Sequence, residues 1–378
     1  MAKIRWRTHR SVTTRWRRHF MRIELIHANE FSDSDRTHWR QLQLANPSLD
    51  SPYFHPNFTA AVNAVRSETH IAVFRDLAGR ALGCLPRERI GRDAARPIGG
   101  RLSDYQAIIG PNDIAFGAQE FLRGCKLSRF QFDHWLTSQP CFSAAFYTTD
   151  GSPYLDLSEG FAAYEKTRRE MGADELKQTQ RKARKVGREV GELRLVFHDE
   201  SENAWQQLLA WKSEQYERTN ATDIFAYPWT RQLLENMARD RDAEFGGVIN
   251  TLYAGDTLLA AHYGLYADGV LHWWFPTYSQ EYQKYSPGRI LLLELARQSG
   301  DLGISKIDLG RGMTSYKMRT MTGITEVGDG TVDLSPLRKF ATDTWRRTLE
   351  RVRNSPLRAP ARVPGRVYYR VREWFEFR

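Results

Sequence analysis

The segment DLGRGMTSYKM, residues 308–318, places two glycines, an arginine and a Tyr-Lys pair directly after a short apolar strand. Gly310 and Gly312 allow the chain to turn sharply and to come close to a ligand, and Arg311 between them is expected at the mouth of a cleft. Alternation along the predicted strand 305–309 puts Ile307 and Leu309 on one face and Lys306, Asp308 and Gly310 on the other. A turn that contacts a ligand is therefore predicted at this strand end.

A second candidate site precedes this strand at the sequence SPGRI, residues 286–290. Ser286 as N-cap and Pro287 at the first helical position predict the start of an apolar helix over 287–298. The free N–H groups and the dipole of a helix start favour phosphate. The predicted phosphate-binding residues are Ser286, Gly288, Arg289 and Ile290. The alternative is an ordinary capped core helix.

The sequence contains no motif that indicates a metal site, a disulfide framework or covalent catalysis. The three cysteines, Cys84, Cys125 and Cys141, lack metal-ligand or disulfide-framework spacing, which favours a reducing cytoplasm. No Ser-His-Asp order, catalytic cysteine or HExxH pattern indicates covalent or metal catalysis. The longest apolar stretches are short or interrupted, so no transmembrane helix is expected.

The elements that carry these residues are repeated along the chain. Ala78-Gly79 and Ala254-Gly255 form equivalent predicted turns 176 residues apart, each inside an antiparallel run of strands preceded by helices. In the second half the order continues as helix and strand. This pattern predicts an α/β (α+β) protein with a duplicated domain, joined by a highly charged helical connector.

The net charge of +10 belongs to the two ends of the chain. Residues 1–22 carry eight Lys or Arg and no acid, and residues 338–378 carry twelve Lys or Arg against four acids, so the intervening residues are net acidic. Nucleic-acid binding by the core is therefore not indicated. The tails are interpreted either as solvated extensions or as contacts for an anionic membrane surface, in which case the protein would be peripheral at the inner membrane.

Three segments together resemble a known family: residues 285–323, which contain both candidate sites, RPIGGRLSDYQAII (96–109) and SPYFHPNFTAAV (51–62). They are similar to bacterial GNAT-type acyltransferases of the CelD/BcsL (BioF2-like) group, which are in turn similar to FemAB/FemX peptidyltransferases. The resemblance implies two tandem GNAT-like domains, each a mixed, mostly antiparallel sheet flanked by helices. The implied organisation is a basic extension (1–21), a first domain (22–160), a connector (161–192), a second domain with the acyl-CoA site (193–335) and a basic tail (336–378).

The resemblance also implies roles for the residues of both sites. The pyrophosphate of acyl-CoA would lie at residues 286–290, although YSPGR replaces the usual Q/R-x-x-G-x-G/A loop and leaves room for a donor other than acetyl-CoA. Tyr316 and Lys317 match an aromatic-Lys pair of FemX-like enzymes. Transfer to an amine then assigns Lys317 to charge stabilisation, Tyr316 to proton donation and Asp308 to amine binding or base catalysis.

The remaining candidates would bind the acceptor. They are Asp104, Tyr105 and Gln106 at the start of a first-half strand, His262 in a second-half strand, and Arg311. A lone strand histidine is also commonly a hydrogen-bonded structural residue.

The predicted function is therefore transfer of an acyl group, other than an aminoacyl group, from acyl-CoA to an amine on a sugar nucleotide or an envelope or exopolysaccharide precursor, with no metal. The enzymatic alternative uses aminoacyl-tRNA in the manner of FemX. The other alternative is a non-catalytic, membrane-associated scaffold in polysaccharide synthesis.

Overall fold

The computed structural model describes residues 21–353 apart from 115 and 173. Nearly all of the predicted basic extension (1–21) and the end of the predicted basic tail, 354–378, lie outside the described residues. Among the described helices, none is long and apolar enough to cross a membrane.

One open sheet runs through the whole described chain. Its strands are β1 Arg22–His27, β2 Thr69–Arg75, β3 Ala81–Arg89, β4 Ala94–Pro97, β5 Arg129–Leu136, β6 Phe146–Asp156, β7 Leu193–Val196, β8 Phe245–Ala254, β9 Thr257–Ala267, β10 Val270–Tyr278, β11 Lys306–Asp308 and β12 Gly323–Asp333. The strands pair antiparallel except for β4 with β5 and β10 with β11. The predicted fold class, a mixed and mostly antiparallel sheet flanked by helices, is confirmed.

The strand order shows how the two halves are joined. It reads β1-β2-β3-β4-β5-β12-β6-β11-β10-β9-β8-β7, so each half contributes five strands and the centre is formed by β12 and β6. β12, from the C-terminal part of the chain, lies between β5 and β6, whereas β6 pairs with β11 of the second half. The two halves therefore exchange strands across the predicted connector.

Helices cover both faces of the sheet. They are α1 Asp33–Leu44, α2 Pro56–Val65, α3 Ala118–Gly124, α4 Gly160–Glu170, α5 Glu175–Glu189, α6 Glu202–Thr219, α7 Pro228–Arg239, α8 Pro287–Arg297, α9 Ser315–Thr320 and α10 Pro336–Arg353. The predicted charged connector contains α4 and α5. Side chains of α1, α2, α6 and α7 share one apolar cluster, so the halves also share a core, while α4, α5 and α8 contribute to a second cluster.

Local sequence explains where the helices begin. Ser32 and Asp35 form a capping box at the start of α1, which satisfies backbone N–H groups that would otherwise lack a partner. Proline opens α2 and α8, where its missing N–H is harmless. Most α8 side chains are buried, as its apolar sequence predicts, because the helix packs on the sheet.

The two parallel strand pairs differ in what fills the gap beyond them. In the first half, the backbone of Gln106 pairs with β5 and that of Ile109 with β3, so residues 104–109, here called the inserted segment, fill the gap between β3 and β5 beyond the end of β4. The buried side chain of Gln139 hydrogen-bonds both backbone groups of Ile108, at 2.8 and 2.7 Å. The first-half gap is therefore closed by its own chain.

In the second half the gap stays open. β10 and β11 pair only from Val270–Lys306 to His272–Asp308, after which β10 continues to Tyr278. A β-bulge between His272 and Phe275 shifts the register of β10 against β9, which turns the strand locally. β11 ends at Asp308, and the turn that follows it and the second part of β10 line a cleft.

Candidate functional site

The cleft beyond β10 and β11 has a volume of about 580 Å³. One wall is formed by β10, from Trp273 to Pro276, and the other by the turn 309–312 and by α9. Its charged and titratable lining side chains are Asp104, His134, Asp150, Lys212, Arg311, Tyr316 and Lys317. First-half and second-half residues thus meet in one site.

The start of α8 lies close to the end of β10. A Cβ atom built on Gly288 would lie 3.5 Å from Tyr278 of β10. The backbone N–H groups of Arg289 and Ile290 donate to the Ser286 carbonyl, at 3.0 and 3.3 Å, so the N–H of Gly288 is the predicted donor that keeps no partner among the described residues. The predicted phosphate site thus offers fewer free donors than the sequence suggests.

Ser286 occupies the N-cap position without capping through its hydroxyl. Its backbone is left-handed (φ 58°), and its hydroxyl oxygen accepts a hydrogen bond from the Lys182 ammonium of α5 at 2.7 Å. The Arg289 guanidinium donates to buried Glu175 of α5 at 2.6 Å, and Arg319 lies 3.5 Å from the same carboxylate. The cations around the α8 start therefore come from three helices.

The Gly-Arg-Gly turn is fixed by its neighbours. The Lys317 ammonium donates to the carbonyls of Gly310 and Arg311, both at 2.8 Å, which ties α9 to the turn. Burial lowers the pKa of Lys317, partly offset by the nearby carboxylates. Arg311 bonds the Asp133 carbonyl at 2.5 Å and pairs with Asp329, so its charge is already balanced.

Tyr316 lines the cleft beside Lys317. Burial raises the pKa of its hydroxyl to about 12, against a lowering influence from the charge of Arg289. The hydroxyl therefore keeps its proton at neutral pH and can donate a hydrogen bond or a proton, but it is a poor base.

Asp308 does not reach the cleft. Its side chain is 2% exposed and accepts hydrogen bonds from the Tyr105 hydroxyl at 2.5 Å, the Ser152 hydroxyl at 3.2 Å and the Gly310 N–H at 2.8 Å. Burial alone would raise the pKa of Asp308, but its interactions with charged His272 lower it. The structure places this carboxylate, predicted to work on the amine, one layer behind the cleft surface.

Of the other predicted acceptor residues, Asp104 lines the cleft, whereas Tyr105, Gln106 and His262 lie outside its lining. Gln106 is buried and its amide bonds Asp133 at 2.7 Å. His262 is fully buried, hydrogen-bonded to Asn250 at 3.0 Å and stacked on Trp273, with 3.8 Å between ring centroids. Burial keeps the pKa of His262 well below its ordinary value, so it is a neutral residue beneath the cleft wall.

Sequence reasoning missed His272 and Lys212. His272 is fully buried in β10 and bonds Asp104 through Nε2 at 2.8 Å. Lys212 of α6 lines the cleft and donates to the Pro276 carbonyl at 3.2 Å, and burial lowers its pKa to about 8. A single polar residue in the apolar run VLHWWF was the available signal for His272.

Comparison with known proteins agrees with this geometry. Residues 174–318, which contain both predicted sites of the second half, match the family model of the acetyltransferase (GNAT) domain. No curated protein matches the sequence.

Solved structures share the fold at low sequence identity. A crystal structure of FemX matches with a TM-score of 0.54 and 7% identity over 84% of this chain and 99% of that chain. A protein of unknown function from Bacteroides thetaiotaomicron VPI-5482 matches with a TM-score of 0.50 and 11% identity over 79% and 97% of the two chains. A tandem GNAT protein from the clavulanic acid biosynthesis pathway scores 0.45 at 12% identity over 84% and 99%. The more specific CelD/BcsL resemblance stays a prediction; residues 174–318 are similar to the acetyltransferase (GNAT) domain, and the chain shares the fold of FemX.

Proposed function

We propose that the protein is an N-acyltransferase that moves an acyl group from acyl-CoA to an amine in the cleft between β10 and β11. The observation that carries this proposal is the separation of the two parallel strands beside the start of α8. Such a gap can receive an extended thioester, and the helix start and its surrounding cations suit the phosphates of its carrier. The first half has its equivalent gap closed, so a single donor site is proposed.

The transfer needs little from the protein beyond positioning and charge. The amine nitrogen forms a bond with the thioester carbonyl carbon, the C–S bond breaks, the nitrogen loses a proton and the sulfur gains one. Lys317 would supply positive charge near the developing oxyanion, and Tyr316, which keeps its proton, would donate to the departing sulfur. The acceptor is proposed to be an amine on a sugar nucleotide or a polysaccharide precursor.

Replacing Gly288 with tryptophan tests the donor site. The new side chain would occupy the space beside Tyr278 at the α8 start, so we expect acyl-CoA affinity to fall at least about tenfold, equivalent to about 1.4 kcal/mol. Calorimetric titration of the protein with acetyl-CoA and longer acyl-CoAs measures this. Gly300→Trp, near the other end of α8 and with open space around the added Cβ, is the matched control and should bind normally.

Failure of the wild type to bind any acyl-CoA would contradict the proposed donor and favour the aminoacyl-tRNA alternative. One observation supports that alternative: α5, which packs beside the α8 start, exposes the basic residues Lys177, Arg181, Arg184, Lys185 and Arg188. Binding of aminoacyl-tRNA through these side chains would weaken steeply with salt, because each phosphate contact releases counterions.

Peripheral contact with an anionic membrane is proposed for α10. This helix exposes Leu337, Phe340 and Trp345 by 82%, 72% and 51%, among the basic residues Arg338, Lys339, Arg346 and Arg347. Exposed apolar and basic side chains on one helix are typical of binding at a lipid surface.

Phe340→Ser should therefore weaken binding to vesicles that contain phosphatidylglycerol by roughly tenfold, because one large apolar side chain no longer enters the lipid. Co-sedimentation with the vesicles measures this. Leu77→Ser, at an equally exposed apolar residue of the β2–β3 turn, is the control. Equal loss in both variants, or no binding by the wild type, would speak against this contact.

A further inference from the structure

The inserted segment carries a first-half carboxylate into the second-half cleft. Its backbone pairs with β3 and β5, which fixes its path. Asp104 at its start lines the cleft, with its side chain 24% exposed, and its Oδ2 lies 3.1 Å from the Cβ position of Gly310. The same segment that closes the first-half gap thus contributes a charged group to the open one.

Behind Asp104 lies a chain of polar side chains that leads into the protein. His272 Nε2 is 2.8 Å from Asp104 Oδ2, and His272 Nδ1 is 3.4 Å from Asp308 Oδ1. Asp308 in turn accepts the hydrogen bond from Tyr105. The imidazole is fully buried, with its ring edge-on to Tyr53 at 5.0 Å between centroids. The chain of side chains begins and ends in the first half, with His272 and Asp308 of the second half between them.

The charges in this chain follow from its neighbours. Burial alone would lower the pKa of His272, but the hydrogen bond with Asp104 and the negative charges of Asp104 and Asp308 outweigh it and raise the pKa to about 9. Burial alone would raise the pKa of Asp104, but His272 and His134 outweigh it and lower the pKa. The other titratable groups that interact electrostatically with Asp104, His272 or Asp308 are Tyr53, Tyr105, Tyr216, His262, Lys306 and Lys317. At neutral pH a buried imidazolium therefore lies between two carboxylates.

We propose that Asp104 binds the neutral amine of the acceptor by accepting a hydrogen bond from its N–H and takes the proton from its nitrogen during acyl transfer, and that His272 is the positioning residue that holds Asp104 in place. This inference rests on the proposed acyl transfer. The bond from His272 occupies Oδ2, whereas Oδ1 lies 3.8 Å from His134 Nε2, beyond hydrogen-bond distance, and is left for the acceptor. Asp308 cannot take this role because it is buried with its oxygens engaged, and Asp150 of the cleft pairs with Arg311 at 3.5 Å.

The proton balance of the step is complete. As the amine attacks, its nitrogen becomes cationic and its N–H becomes strongly acidic, so even a carboxylate of low basicity can remove the proton. The N–H electron pair stays on the nitrogen of the amide, the proton goes to Asp104, and the C–S electron pair leaves with the sulfur. Tyr316 donates the proton to this sulfur, and solvent later takes the proton from Asp104 and returns one to Tyr316.

Asp104→Asn, which keeps the shape but removes the base, tests the inference. With an acyl-CoA as donor and water, hydroxylamine or glucosamine as acceptor, release of the CoA thiol should fall by about 10²–10³-fold in kcat. Donor affinity should stay unchanged by calorimetry. Asp113→Asn, at an exposed carboxylate further along the same first-half stretch, should behave as the wild type.

The pH dependence of the rate and the NMR titration of the imidazole test the positioning role of His272, because a purely structural histidine would not link the two. The wild-type rate should fall above pH 9, where the imidazolium loses its proton, and NMR titration of the imidazole should follow the same limb. In Asp104→Asn the His272 titration should move toward its ordinary value of about 6.5, because one of the two anions is gone.

The possible results distinguish failure of the proposed acyl transfer from failure of the role proposed for Asp104. If the protein binds no acyl-CoA, the proposed transfer and this inference are both wrong. The same holds if acyl-CoA binds but no CoA thiol is released in the presence of any of the three acceptors. If Asp104→Asn lowers kcat for CoA thiol release less than threefold, the role of Asp104 is wrong while the proposed transfer stands. Loss of activity through weaker donor binding, with kcat kept, also contradicts the role of Asp104.

Discussion

Replacing Asp308 with asparagine is expected to lower the free energy of unfolding by about 3–5 kcal/mol. The carboxylate is buried against the His272 imidazolium and accepts hydrogen bonds from Tyr105, Ser152 and the Gly310 backbone. An amide keeps the volume but not the charge, so the substitution leaves a buried cation with one anion fewer. Removing one partner of a buried ion pair costs far more than the pair contributes.

Urea unfolding followed by circular dichroism measures the loss. Asp301→Asn is the matched control, since Asp301 is exposed on the loop before the same strand, and its midpoint should be close to that of the wild type. A loss below about 1 kcal/mol for Asp308→Asn, the usual range for exposed pairs, would show that the Asp308–His272 contact is not the buried ion pair described above.

The contribution of His272 to stability should fall by about 2 kcal/mol between pH 6.5 and pH 8, against smaller opposite contributions from His55, His70, His198 and His262, whose pKa values are lowered. The pKa of His272 is about 9 in the folded protein, above the unfolded value of about 6.5. Between these values the folded protein holds a proton that the unfolded chain has released, so the contribution is complete below pH 6.5 and is lost at about 1.4 kcal/mol per pH unit as the pH rises toward 9. The raised pKa of His134 acts in the same direction.

Lys212 opposes this trend from pH 8 upward. Its folded pKa of about 8 lies below the unfolded value, so burying the charged form is unfavourable and stability recovers as the ammonium loses its proton. The wild-type decline should therefore level off near pH 8, whereas in Lys212→Met it should continue to about pH 9. His272→Asn should remove most of the decline. The same pH dependence from 6.5 to 8 in the wild type and in His272→Asn would contradict the charged state of His272.

The sequence was informative wherever the signal was local. The Pro287 helix start, the strand at β11, the glycine turn after it and the turns at Gly79 and Gly255 all appear in the structure, because backbone preferences and side-chain periodicity act over a few residues. The resemblance of the Tyr316-Lys317 segment predicted a GNAT-type domain, and residues 174–318 match the family model of that domain.

Local signals failed where partners are distant in the chain. His272 lies in an apolar strand and looks structural until Asp104, 168 residues away, is placed beside it by the inserted segment. Asp308 has the expected neighbours of a catalytic carboxylate in sequence, but burial by Tyr105 and Ser152 takes it out of the cleft. The low pKa of Lys212 results from its burial in the folded protein, which the spacing of residues in the sequence does not predict.

The sequence by itself determined the elements, the duplicated α/β pattern and the second-half segments that carry the proposed donor site. Tertiary structure alone decided which strands exchange between the halves, which of the two gaps is filled, and which carboxylate faces the cleft. The physical reason is that helix starts and turns depend on neighbouring residues. Strand order, burial and the pKa values that follow from burial depend instead on contacts between residues far apart in the chain, such as β12 between β5 and β6.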